Sequence, residues 1–137
     1  RITGEQLKAY LEYSSRYYET TADRSLVVDP SVAGYNFDMV SGVHYTIDVS
    51  RPVGQRIARL SYRGKAVAPT DTFTMAINNY RQAGGGGYAM LRDAPVVYDD
   101  QQEIRDLLID AVHRLETLRS PDYDDQNWSF VKRGVTP

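Results

Sequence analysis

Val43-His44-Tyr45-Thr46-Ile47-Asp48-Val49-Ser50 is the stretch whose reading decides the fold. Val43, Tyr45, Ile47 and Val49 alternate with His44, Thr46, Asp48 and Ser50. A period of two puts the apolar set on one face of a strand and leaves the other face wet. His44 falls on the wet face, where a lone histidine reads as a surface residue. Arg51-Pro52-Val53-Gly54 ends the run. Ile57 to Tyr62 then reads as a second strand, turning at Arg63-Gly64 into Lys65 to Ala68 as a hairpin. Phe73, Met75 and Ile77 alternate with Thr72, Thr74 and Ala76 in a further strand. Leu26-Val27-Val28 and Asn127 to Val131 supply short strands before and after these.

Helices flank the strands. Thr3 is placed to cap a helix, with Gln6 at the reciprocal capping-box position. Leu7, Tyr10, Leu11, Tyr17 and Tyr18 recur at helical spacing, which predicts a helix over residues 4–18. A second is predicted over residues 100–119. There Ile104, Leu107, Leu108, Ala111, Val112, Leu115 and Leu118 follow the i, i+3, i+4, i+7 template. Asp99 or Asp100 is its expected cap, Glu103 sits at the reciprocal position, and Ser120-Pro121 stops it. Each aliphatic side chain of that stripe gains roughly 1.5 to 3 kcal/mol if buried, so the stripe suits one side of a sheet. The expected fold class is α+β: a mixed or antiparallel sheet with both helices packed on it.

Composition narrows the function. At 137 residues, with 25% charged and 42% hydrophobic, the chain suits one globular domain. A net charge of -2 argues against a nucleic-acid duplex as partner. No apolar run is long enough to span a bilayer. The absence of cysteine excludes disulfides, thiolate metal sites and a cysteine nucleophile. His44 and His113 are too few for a histidine-rich metal centre. Eleven tyrosines against three phenylalanines favour half-buried surfaces and contacts with flat ligands.

The loops carry the chemistry. Asn78-Asn79-Tyr80-Arg81-Gln82-Ala83-Gly84-Gly85-Gly86-Gly87-Tyr88 follows a strand and ends in an aromatic residue. Consecutive glycines give a backbone that a ligand can approach closely, although the same composition suits a flexible linker. The run carries no lysine and does not open a helix, so it is no phosphate-binding P-loop. Asp122, Asp124 and Asp125 form an acidic loop, which reads as solvated or at most as a weak calcium site. No serine elbow of a hydrolase triad is present. Two aromatic and polar loops remain, residues 34–42 and 78–93 with Asp93, suited to stacking a flat ring and hydrogen-bonding its edge.

Gly34-Tyr35-Asn36-Phe37-Asp38-Met39-Val40-Ser41-Gly42-Val43, Arg56-Ile57, Gly64, and Asn78-Asn79-Tyr80-Arg81 leading into Gly84-Gly85-Gly86-Gly87-Tyr88 resemble the C-terminal domain of the 5'-nucleotidase family in order and spacing. The Tyr35–Asp38 and Asn78–Arg81 motifs, with Asn127-Trp128, are most similar to its bacterial branch of 2',3'-cyclic-nucleotide 2'-phosphodiesterases and 3'-nucleotidases. The resemblance runs from Ile2 to Trp128. It implies that residues 1–137 are a single domain, the nucleotide-binding C-terminal domain, lacking its first strand. An N-terminal metallophosphoesterase domain of the same polypeptide would hold two divalent metal ions and the catalytic residues, none of which falls in this chain. The C-terminal domain would bind the nucleoside part of a nucleotide and carry its phosphate to the metals. By this resemblance Tyr88 stacks the base, Asn79 and the backbone of Gly84, Gly85, Gly86 and Gly87 surround it, and Asp93 lies near the ribose. The intact protein would be a phosphoric ester hydrolase, periplasmic, cell-wall-associated or secreted. The alternative is a stand-alone extracellular binding or adhesion module with no hydrolytic role.

Overall fold

The structure, a computed structural model, describes residues 1–20, 25–115 and 117–131. It divides into two compact units, Arg1–Pro95 with the described residues from Asn127 onward, and Val96–Gln126.

In the first unit, β1 (Ile2–Thr3) runs directly into α1 (Gly4–Ser14). The capping box forms as read: the Gln6 amide donates to Thr3 Oγ1 at 3.1 Å, and the Thr3 amide donates to Gln6 Oε1 at 2.9 Å. The helix expected to reach residue 18 stops at Ser14, and a single 3-10 turn, Ser15–Tyr17, follows it. The reason lies elsewhere in the chain. Arg56 Nη1 takes the carbonyls of Ser15 and Tyr18, and Tyr18 begins β2 (Tyr18–Thr20), antiparallel to β3 (Leu26–Val28). Tertiary partners override the helical spacing of Tyr17 and Tyr18.

A four-stranded sheet is built from β4 (His44–Ile47), β5 (Ile57–Tyr62), β6 (Lys65–Ala66) and β8 (Trp128–Phe130). Its order is β6-β5-β4-β8, antiparallel except that β8 lies parallel to β4. The ladder slips between His44 and Thr46, opposite Arg59 of β5 at φ 53. β7 (Thr72–Phe73) pairs with β1. The strand expected over residues 72–77 pairs only there, yet Phe73, Met75 and Ile77 all keep their apolar side on the core. The core joins Leu7, Tyr10 and Leu11 of α1 to Val43, Tyr45 and Ile47 around β4. Burial pushes the Tyr45 phenol up to about 12. A mixed sheet with few helices is the α+β class the sequence predicts.

After the short α2 (Asn79–Gln82), the second unit holds α3 (Ile104–Leu115). It starts later than residue 100. Asp99 takes the Gln101 amide at 3.2 Å in a local turn, and the Glu103 carbonyl accepts from Asp106 and Leu107. The expected caps, Asp99 and Asp100, therefore lie outside the first helical turn. No residue of α3 is buried.

Candidate functional site

The chemistry of the first unit converges on one buried guanidinium. Asn78 caps α2, its side chain accepting the Arg81 amide at 2.8 Å. One helical turn then aims Arg81 inward, where 5% of the residue stays exposed. Arg81 Nε donates to Asp38 Oδ2 at 2.7 Å and Nη2 to Asp38 Oδ1 at 2.9 Å, a two-pronged pair. Nη2 also donates to the Tyr35 carbonyl at 2.7 Å. Nη1 donates to Asn36 Oδ1 and to the Gly85 carbonyl, each at 3.1 Å. The Tyr10 hydroxyl of α1 donates to Asp38 Oδ2. The Tyr35–Asp38 loop, the Asn78–Arg81 turn, the glycine run and α1 thus meet at one side chain.

Titration follows from this geometry. Burial alone would raise the Asp38 carboxyl, but the hydrogen bonds from Arg81 and Tyr10 and the charge of Arg81 outweigh it. They hold the group below the usual carboxylate range. Burial pushes the Tyr10 phenol up, and the Asp38 carboxylate facing it pushes it further.

Tyr88 is not an open wall for a ligand. It is 0% exposed. Its ring meets Tyr10 at 4.5 Å and Tyr13 at 4.8 Å between centroids, the Arg81 guanidinium lies 4.5 Å from its centre, and its hydroxyl donates to the Asn36 carbonyl at 2.7 Å. The stacking role expected of it has no free ring face to use. Of the three tyrosines in the loops 34–42 and 78–93, the two that reach solvent are Tyr35 at 77% and Tyr80 at 54% exposure. Both line a cavity of about 500 Å³, together with Phe37, Met39, Met75 and Ile77. Tyr10, Asp38, Asn78 and Arg81 supply its polar atoms.

The glycine run is held against the chain's own side chains. The Gly86 carbonyl accepts from the Tyr13 hydroxyl at 3.0 Å. A Cβ on Gly85 would stand 2.5 Å from the Tyr80 ring, so this glycine lets that ring lie on the loop backbone. Gly86 has φ 68, and a Cβ there would meet Arg81 Nη1 at 2.3 Å and Asn36 Oδ1 at 2.4 Å. Gly86→Ala therefore combines a left-handed backbone with a clash on the Arg81 hub. We expect a loss of roughly 2–4 kcal/mol in stability, read by chemical denaturation through the lone Trp128. Asn79 and Asp93 are exposed, and neither lines the cavity. Among the described residues no group of three or more His, Asp or Glu side chains could hold a metal, and no helix is long and apolar enough to cross a membrane.

A family model described as "5'-nucleotidase, C-terminal domain" matches residues 1–93. The chain belongs to the 5'-nucleotidase family. It is 34% identical, over 96% of its length, to a 2',3'-cyclic-nucleotide 2'-phosphodiesterase/3'-nucleotidase of Haemophilus influenzae, and covers 23% of that protein. It is 32% identical to the trifunctional nucleotide phosphoesterase protein YfkN of Bacillus subtilis, again over 96% of the chain, and covers 10% of it. A crystal structure of a putative 5'-nucleotidase from Staphylococcus aureus, solved in complex with alpha-ketoglutarate, superposes with a TM-score of 0.82 at 36% identity, over 96% of this chain and 26% of that one. The chain thus spans about a quarter or less of the relatives it matches. In these relatives the family domain accompanies a longer polypeptide. The residues the sequence left without a role are Tyr10, Asp38, Tyr80 and Arg81. The last three stand inside the quoted motifs, but residue type alone does not show that Tyr80 faces out while Tyr88 faces in.

Proposed function

We propose that the first unit is the nucleoside-binding part of a metal-dependent nucleotidase or cyclic-nucleotide phosphodiesterase. The base lies on Tyr80, with Tyr35 also lining the cavity, and the phosphate is presented to a catalytic domain of the same polypeptide. That domain supplies the two divalent metals and the catalytic residues. The observation carrying the reading is the pairing of two exposed tyrosines with a polar-floored cavity of about 500 Å³, in the size range of small-molecule sites. The hydrolase names of the Haemophilus and Bacillus relatives are in keeping with it. Asn79, exposed next to Tyr80, is in position to meet a ligand that overhangs the rim. Asp93 and the backbone of Gly84–Gly87 would contact a nucleotide only through the part that extends beyond the cavity. Export of the protein is part of the same proposal.

A titration with adenosine 5'-monophosphate followed by NMR tests the reading. Shifts should gather at residues 35–39 and 75–81. Trp128 lies 5.7 Å from Phe37 between ring centroids, so its fluorescence should respond too. Tyr80→Ala should weaken binding by the loss of one stacking contact, about 1–3 kcal/mol. Shifts confined to other parts of the chain would sink the proposal.

A further inference from the structure

We infer that Arg81 is a positioning residue for the base site: its buried guanidinium sets where Tyr35 and Tyr80 stand, so that the site is formed before a ligand arrives. This rests on the reading of the cavity given above. Tyr80 is the residue before Arg81 in the chain, and its ring lies against Gly85. The Gly85 carbonyl is held by Arg81 Nη1 at 3.1 Å. Tyr35 has its own carbonyl held by Arg81 Nη2 at 2.7 Å. Phe37 and Met39, also on the cavity wall, flank Asp38, which is locked to Arg81 in two-pronged fashion. Tyr35, Phe37 and Met39 therefore each carry, or directly adjoin, a residue that Arg81 holds, and Tyr80 adjoins Arg81 itself, while Met75 and Ile77 complete the lining from the chain before it. The guanidinium makes these contacts as a planar fork. A lysine in its place keeps the charge and one contact to Asp38, but it cannot reach the Tyr35 and Gly85 carbonyls from opposite edges at once. Walls fixed in advance spare a ligand the cost of ordering them.

A double-mutant cycle on the full gene product, read as affinity for adenosine 5'-monophosphate well below the melting midpoint of every variant, tests this. Arg81→Lys should weaken binding about tenfold. If it acts through the aromatic walls, it should add no more than about a further twofold loss once Tyr80 is already alanine. Full multiplication of the two losses would overturn the inference, because Arg81 would then act independently of the wall. Unchanged affinity in Arg81→Lys would overturn it as well. Unchanged affinity in Tyr80→Ala would instead remove the cavity reading on which it stands. Should Arg81→Lys fail to fold, Asp38→Asn enters the same cycle with the same expectations, since it keeps the acceptor for the Tyr10 hydroxyl while giving up the two-pronged pair.

Discussion

Arg81→Ala is expected to lower the stability of the first unit by about 3–5 kcal/mol. The substitution leaves the Asp38 carboxylate, with 21% of its side chain exposed, facing the Tyr10 hydroxyl and no cation. It also strips the carbonyls of Tyr35 and Gly85 of their donor. A surface ion pair is worth far less, about 0–1 kcal/mol, because water and salt replace it. The Arg81 side chain is only 6% exposed, which places this pair in the costly class. Denaturation followed by Trp128 fluorescence separates the two cases. A loss under about 1 kcal/mol would mean that the pair is screened and the hub carries little. Acid provides an independent check. A carboxyl whose folded value is depressed adds stability above its unfolded value, near ~3.9, and that stability drains away as pH falls through the lower folded value. The parent should therefore lose stability on acidification below about pH 4, and Asp38→Asn should flatten that part of the profile. A profile unchanged by the substitution would assign the acid loss to other carboxylates.

What could be read in the sequence divides along a physical line. Period and caps are local, so β4, the Arg63-Gly64 hairpin turn, the Thr3 capping box and the body of α3 were all legible. Helix length was not, because the end of α1 is set by Arg56 reaching in from a loop more than thirty residues away. The site divides in the same way. A glycine run beside aromatic residues announces close approach, but not who approaches. Here the approaching groups are Tyr80, Arg81 and Tyr13 of the chain itself. Tyr80 and Tyr88 have the same side chain, and only the direction set by the α2 turn and the loop that follows decides which is buried. Family resemblance pointed to Tyr88 as the aromatic wall, and in the fold that ring is buried while Tyr80 is exposed.

Glu12→Ala should match the hub variant in cost, at about 2–5 kcal/mol, though it touches no ligand surface. Charged residues are rarely buried without a partner, so a glutamate in a helix reads as solvated. Glu12 is nevertheless 5% exposed. Its two oxygens accept the backbone amides of Arg56 at 2.7 Å and Ile57 at 2.8 Å, at the very start of β5. These amides have no strand partner there, and an unsatisfied buried N–H costs about 1–3 kcal/mol. Beside them, the Arg56 guanidinium closes the last carbonyls after α1, among them Ser15 at 2.8 Å. Carboxylate and guanidinium together fasten the end of α1 to the start of β5, and α1 in turn carries the Tyr10 hydroxyl that the Asp38 hub uses. Glu12→Gln distinguishes this from a simple packing defect. The amide keeps the volume and one acceptor but turns an N–H toward the second backbone N–H. It should recover only part of the loss. Full recovery by glutamine in denaturation experiments would show that shape, rather than the paired amide contacts, holds the junction.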